Sequence, residues 1–297
     1  MDLSGVLIPT ATPFDATGEV DLTGFRRNVE AWLRHPVRGL VVGGSTGEAV
    51  LLDEEERVAL WRAAREAVGE RLLVAGTGAE SLRTTLRLTR AAADAGADAV
   101  LVQPPAFYRG AMSAPVLEDH FRAVADASPV PVIVYQVPLH LNTLDIPNEV
   151  SAALSAHPNI VGIKDSRGKL ELVEELVARC VPGFQVLVGN GALLLDALRA
   201  GAVGGILGVA NLLPGASAGI VERWRAGAGA EAERLQEVVA PLHREVVGGM
   251  GVPGVKRALE WIGMTGGDPR PPLRPLAASR EEALAAHLRA AGLTPAA

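Results

Sequence analysis

Cysteine, lysine and tyrosine are all scarce in this 297-residue chain. The single cysteine, Cys180, excludes an intrachain disulfide and any cysteine-based metal cluster, and it points to a reducing compartment. Lysine occurs only at Lys164, Lys169 and Lys256, so 25 of the 28 basic residues are arginine. No Lys/Arg-rich block is present and the formal net charge is −6, which argues against a nucleic-acid partner. No apolar run reaches the roughly 18 residues needed to span a bilayer. Met1-Asp2-Leu3-Ser4 has neither the basic nor the apolar region of a signal peptide, so the expectation is a cytoplasmic protein with no membrane partner. The six histidines are scattered without ligand spacing, and neither a metal nor a cofactor is expected.

What is present is a repeated alternation. Short apolar runs recur at Val6-Leu7-Ile8, Gly39 to Val42, Leu72 to Ala75, Ala99 to Val102, Val132 to Tyr135, Ile160 to Ile163, Gln185 to Val188 and Val203 to Leu207. Between most of them lie amphipathic helical patterns, such as Ser81 to Ala95, several of them opened by acidic or Ser/Thr caps. Asp53 with Glu56 three residues on reads as a capping box, and Ala95-Gly96 as a helix end. Continuously apolar strands alternating with helices predict parallel strands covered on both faces. Eight such units predict a closed (β/α)8 TIM barrel. An open doubly wound sheet would carry Gly-x-Gly-x-x-Gly after its first strand, and that turn is missing. After Leu207 only helices follow, over 214–225, 230–247, 252–262 and 280–291. The expected division is therefore a barrel over 1–210 and an appended C-terminal helical bundle over 211–297.

A parallel barrel keeps its chemistry at the C-terminal ends of its strands. Collected in order, those ends include Gly43-Gly44-Ser45-Thr46-Gly47-Glu48, Phe107-Tyr108-Arg109, Tyr135-Gln136-Val137-Pro138, Lys164-Asp165-Ser166, Gly189-Asn190-Gly191 and Ile206-Leu207-Gly208. Both tyrosines of the chain fall at this one rim. Lys164 ends the sixth run, and a primary amine can form an imine where a guanidinium cannot. Each feature alone has an ordinary explanation: a solvent-facing strand end, a core tyrosine, a helix cap. Their coincidence at one rim points to a site.

The ordered set Gly44-Ser45-Thr46-Gly47-Glu48, Tyr135 with Val137-Pro138, and Gly162-Ile163-Lys164-Asp165-Ser166 resembles the dihydrodipicolinate synthase and N-acetylneuraminate lyase family of class I pyruvate aldolases. The resemblance runs from about Gly5 to about Pro275. Within that family, Phe107 to Ser113, His157 to Gly162 and Gly251 to Lys256 are most similar to the 4-hydroxy-2-oxoglutarate aldolases.

The resemblance implies a Schiff base at Lys164 and proton transfer by Tyr135. It implies a relay through Ser45 and through Tyr108 of a neighbouring subunit, and hence a homotetramer built as a dimer of dimers. Thr46 and the backbone of the turn at Gly44 would hold the substrate carboxylate, with Ile206 and Ser166 on the rim. Asp165 is expected to be a structural partner. The family's synthases carry an arginine after the tyrosine, where this chain reads Leu139-His140-Leu141-Asn142. His140 or Asn142 is the candidate to bind the aldehyde half, and the other five histidines read as surface or packing residues.

The expected activity is cleavage of a short 4-hydroxy-2-oxo acid, by preference 4-hydroxy-2-oxoglutarate, into pyruvate and glyoxylate. The rivals are a dihydrodipicolinate synthase, a 2-keto-3-deoxy sugar-acid aldolase or dehydratase, a non-catalytic barrel that binds 2-oxo acids, and a phosphate-binding barrel using Gly189-Asn190-Gly191 and Gly204-Gly205.

Overall fold

The computed structural model describes residues 1–296. Its strands are β1 (Gly5–Pro9), β2 (Gly39–Val42), β3 (Leu72–Gly76), β4 (Ala99–Val102), β5 (Val132–Gln136), β6 (Ile160–Asp165), β7 (Gln185–Val188) and β8 (Gly204–Ile206). Every consecutive pair is parallel and β8 returns to β1, so the sheet closes into the expected eight-stranded barrel. The helices of the ring are α1 (Leu22–Leu33), α2 (Glu54–Val68), α3 (Leu82–Asp94), α4 (Ala114–Ala127), α5 (Asn148–Ser155), α6 (Leu170–Arg179), α7 (Leu194–Arg199) and α8 (Pro214–Arg225). Three more follow: α9 (Gly229–Leu242), α10 (Gly251–Trp261) and α11 (Glu281–Ala290).

Side-chain caps open the first three of these helices. At α2 the Asp53 carboxylate accepts from the Glu56 N–H while Glu56 accepts from the Asp53 N–H, which is the capping box read from the sequence. At α3 the Ser81 hydroxyl accepts from the Thr84 N–H. Helix α8 packs against β1, completing the ring. We place the boundary between barrel and appended helices after Arg225 rather than at residue 210.

Two apolar layers result from the two-residue period of the strands. Leu7, Val41, Val74, Leu101, Ile133, Leu187 and Ile206 fill the barrel interior. Val6, Ile8, Leu40, Val42, Leu73, Val100, Val134 and Val186 face outward to the helices.

Strand β6 breaks this period. Val132 pairs with Ile160 but Ile133 pairs with Gly162, so Val161 is an extra residue, a β-bulge. Strict alternation from the outward Ile160 would turn residue 164 outward as well. The bulge reverses the parity, puts Ile163 in the outer layer and turns Lys164 into the barrel beside Tyr135. Glycine is required at the bulge because a Cβ on Gly162 would stand 2.4 Å from the Gln185 carbonyl oxygen.

Candidate active site

Lys164 and Tyr135 end neighbouring strands in direct register, and both are almost fully buried. The Lys164 Nζ stands 4.1 Å from the centroid of the Tyr135 ring. Tyr135 Oη and Ser45 Oγ share a hydrogen bond of 3.2 Å. Ser45 opens a single 3-10 turn, Ser45–Gly47, directly after β2. Within that turn the N–H groups of Gly47 and Ala49 donate to the Gly44 carbonyl, and that of Glu48 donates to the Ser45 carbonyl. The amides of Ser45 and Thr46 are thus left at the open end of the turn, where a short helix presents its unpaired donors.

These groups line one cavity of about 260 Å³ at the C-terminal end of the barrel. Of the residues singled out in the sequence, Lys164, Tyr135, Ser45, Thr46, Ser166, Ile206 and His140 border it. Gly189 lies opposite the lysine; a Cβ there would overlap Ser166 Oγ and approach Lys164 Cε to 3.2 Å. A larger cavity, about 320 Å³, opens at the other end of the barrel. Its Arg38 and Arg71 spend donors on the Asp2 and His35 carbonyls, and it holds neither a lysine nor a tyrosine.

Three expected residues lie elsewhere. Gly44 is buried behind the cavity and contributes its carbonyl to the turn. Asn142 turns its Oδ1 back to accept from the Leu144 N–H, so it caps its own loop instead of facing the cavity. Tyr108 is 74% exposed on the segment after β4. Glu80 anchors that segment by accepting from the Ala106 and Phe107 N–H groups at 3.0 and 2.8 Å.

Buried Gln136 shapes the loop after Tyr135. Its amide donates to the Val137 and Leu144 carbonyls and its Oε1 accepts from the Ile146 N–H, folding residues 137–146 over the strand end and leaving His140 exposed at the mouth. Asp165 is the structural partner expected, because its carboxylate holds Arg167. Arg167 also borders the cavity, but Asp165, Asp145, Asn148 and the Ile146 carbonyl account for all five of its N–H donors.

His243 is the cavity residue that the helical pattern concealed. The sequence pattern reads as one helix over 230–247, yet α9 stops at Leu242 and a π-helical turn, His243–Gly248, follows. Pro241 inside α9 and the pair Gly248-Gly249 after it were the available signals. The Gly191 N–H donates to His243 Nδ1 at 3.3 Å, which leaves the proton of the neutral ring on Nε2. Burial, reinforced by the charge of Arg244, pushes the imidazole down from the ordinary value of 6.5 to about 4. The folded state therefore prefers the neutral ring, and below pH 6.5 the unfolded chain takes up a proton that the fold refuses. Stability from this group is present above 6.5 and is lost as the pH falls toward about 4. Thermal midpoints measured from pH 7 down to 4.5 should consequently fall less steeply in His243→Gln than in the native chain. Parallel slopes would contradict this assignment.

The cavity thus brings together a buried lysine stacked on a tyrosine that is hydrogen-bonded to a serine in a short turn. Residues 2–291 match the sequence profile described as the dihydrodipicolinate synthetase family. The chain belongs to that family. Over 286 residues it is 41% identical to a probable mitochondrial 4-hydroxy-2-oxoglutarate aldolase of Emericella nidulans, covering 95% of this chain and 92% of that protein. It is 33% identical over 282 residues to a 4-hydroxy-tetrahydrodipicolinate synthase of an Exiguobacterium species, covering 95% of each chain. Among solved structures, a chloride-inhibited dihydrodipicolinate synthase of Acinetobacter baumannii, complexed with pyruvate, superposes with a TM-score of 0.93 at 31% identity. That match covers 98% of this chain and 100% of the other. As a member of the dihydrodipicolinate synthetase family, the protein is an enzyme, a class I lyase acting through a lysine Schiff base.

Proposed function

We propose that the protein cleaves a short 4-hydroxy-2-oxo acid, by preference 4-hydroxy-2-oxoglutarate, into pyruvate and glyoxylate. The observation that carries this reading is the contact chain from Lys164 through the Tyr135 ring to Ser45 inside one cavity. In this reading the Lys164 amine attacks C2 of the substrate and water leaves, giving an imine. Tyr135 takes the proton of the C4 hydroxyl, and the C3–C4 bond breaks with its electron pair passing into the enamine. Glyoxylate departs, C3 is protonated, and hydrolysis returns pyruvate and the free lysine. Ser45 passes the proton on from Tyr135. Thr46 and the amides of its turn hold the C1 carboxylate.

The missing arginine favours cleavage over dipicolinate synthesis. The loop after Tyr135 offers His140 at the mouth, and Arg167 has no donor left for a second carboxylate. His140 and the neutral His243 remain as hydrogen-bonding partners for the aldehyde half.

Tyr108 enters as a group delivered to a neighbouring subunit, in an assembly we take to be a dimer of dimers. Its support is the exposed Phe107–Tyr108 pair, packed edge to face at 5.1 Å, with neither ring lining its own cavity. We take the cytoplasm as its compartment. Among the described residues no helix is long and apolar enough to cross a membrane.

A panel of 4-hydroxy-2-oxo acids assayed for released pyruvate tests the reading. The fastest release is expected from 4-hydroxy-2-oxoglutarate, with glyoxylate as the second product. Release from none of them, together with condensation of pyruvate and aspartate semialdehyde, would replace it with the synthase.

A further inference from the structure

Glu48, immediately after the turn that carries Ser45 and Thr46, has a left-handed backbone with φ 57°. It is the one non-glycine residue with positive φ among the described residues. Glycine would adopt that conformation without the steric cost that a side chain brings. The Glu48 side chain must therefore supply something in return. It is 2% exposed; its Oε1 accepts from Lys256 Nζ at 2.8 Å and its Oε2 accepts from the Arg270 backbone N–H at 2.8 Å.

Lys256, fully buried on α10, donates its other two protons to the Thr12 and Asp268 carbonyls, each at 2.9 Å. Its three ammonium donors thus have three acceptors from three separate segments. Thr12 then reaches the turn itself, because its Oγ1 donates to the Gly47 carbonyl at 2.8 Å. The same helix presents Val252 and Val255 to the cavity. One buried lysine thereby ties the turn on one side of the cavity to the wall on another.

Stability is a poor reason for such a pair. Replacing a buried ion pair by apolar groups of similar volume is often neutral or favourable, because desolvation of both charges offsets their attraction. Burial does pull the Lys256 ammonium below the usual lysine range, with Glu48 the largest opposing influence. Removing either partner alone would leave the other charged and uncompensated.

We propose that the Glu48–Lys256 pair is a positioning device that fixes the Ser45–Thr46 turn for binding the 2-oxo acid and makes helix α10 a required part of the site. The proposal takes the role of that turn from the functional reading above. Neither residue lines the cavity.

The test is the double variant Glu48→Gly/Lys256→Met, which removes both charges together and relieves the backbone at residue 48. Two quantities are compared with the native chain below the unfolding transition: amide hydrogen exchange over 44–49, and the pyruvate concentration that half-saturates borohydride trapping. Faster exchange in the turn with unchanged exchange in the barrel strands is expected, with a half-saturating concentration raised about tenfold or more, as small misplacements of binding groups produce. Unchanged exchange in the turn would overturn the proposal, and so would faster exchange with unchanged half-saturation. Should the double variant not fold, Glu48→Gln keeps the side-chain volume and is expected to change both quantities in the same directions. Absence of any adduct in the native chain would instead contradict the role of Lys164. Pyruvate affinity by calorimetry, read with the exchange data, would then decide the proposal by the same criteria.

Discussion

Lys164→Arg is expected to lower turnover by roughly 10⁴-fold or more while the barrel stays folded, because loss of a covalent nucleophile removes the reaction path itself. Arginine is the informative replacement. It puts a positive charge near the Tyr135 ring, where Lys164 Nζ now stands 4.1 Å from the centroid, yet it cannot form an imine. If the lysine acted only as a charge that orients a carboxylate, the arginine variant would retain a large share of the native rate. Circular dichroism would confirm the fold, and pyruvate release from 4-hydroxy-2-oxoglutarate would measure the loss.

Tyr135→Phe should separate the two halves of the mechanism. The ring remains in place to pack Lys164, and only the hydroxyl that meets Ser45 at 3.2 Å is lost. Imine formation should therefore persist. Carbon–carbon cleavage should slow by about 10²- to 10⁴-fold, the usual contribution of a positioned acid or base. Normal trapping of pyruvate with slow release of product would support the assignment. Equal loss of both would show that the tyrosine instead orders the lysine. Tyr108→Phe is expected to behave like Tyr135→Phe if the neighbouring subunit completes the relay.

The barrel was legible because its signals are local. Continuous apolar runs at regular intervals, with Asp53 and Ser81 opening helices between them, specify parallel strands whose C-terminal ends must share one rim. The catalytic candidates were legible for the same reason: lysine and tyrosine are rare, and their occurrence at strand ends is visible without a structure.

What was not legible depends on contacts between distant segments or on a change of period. The bulge at Val161 decides which way Lys164 points, and it follows from pairing with β5. A helical pattern over 230–247 conceals the π-helical turn that brings His243 into the cavity. Asn142 looked available, but its side chain satisfies the Leu144 amide two residues away, a local competition common to asparagine in loops. Glu48 and Lys256 lie 208 residues apart, and nothing in either neighbourhood announces that they meet.

The central claim is that Lys164 is the covalent anchor of a 2-oxo acid. Incubation of the native chain with pyruvate, reduction with borohydride and peptide mass analysis addresses it most directly. A stable pyruvyl adduct on the peptide containing Lys164, absent from Lys164→Arg, is the predicted result. No adduct, or an adduct at Lys169 or Lys256 instead, would contradict it.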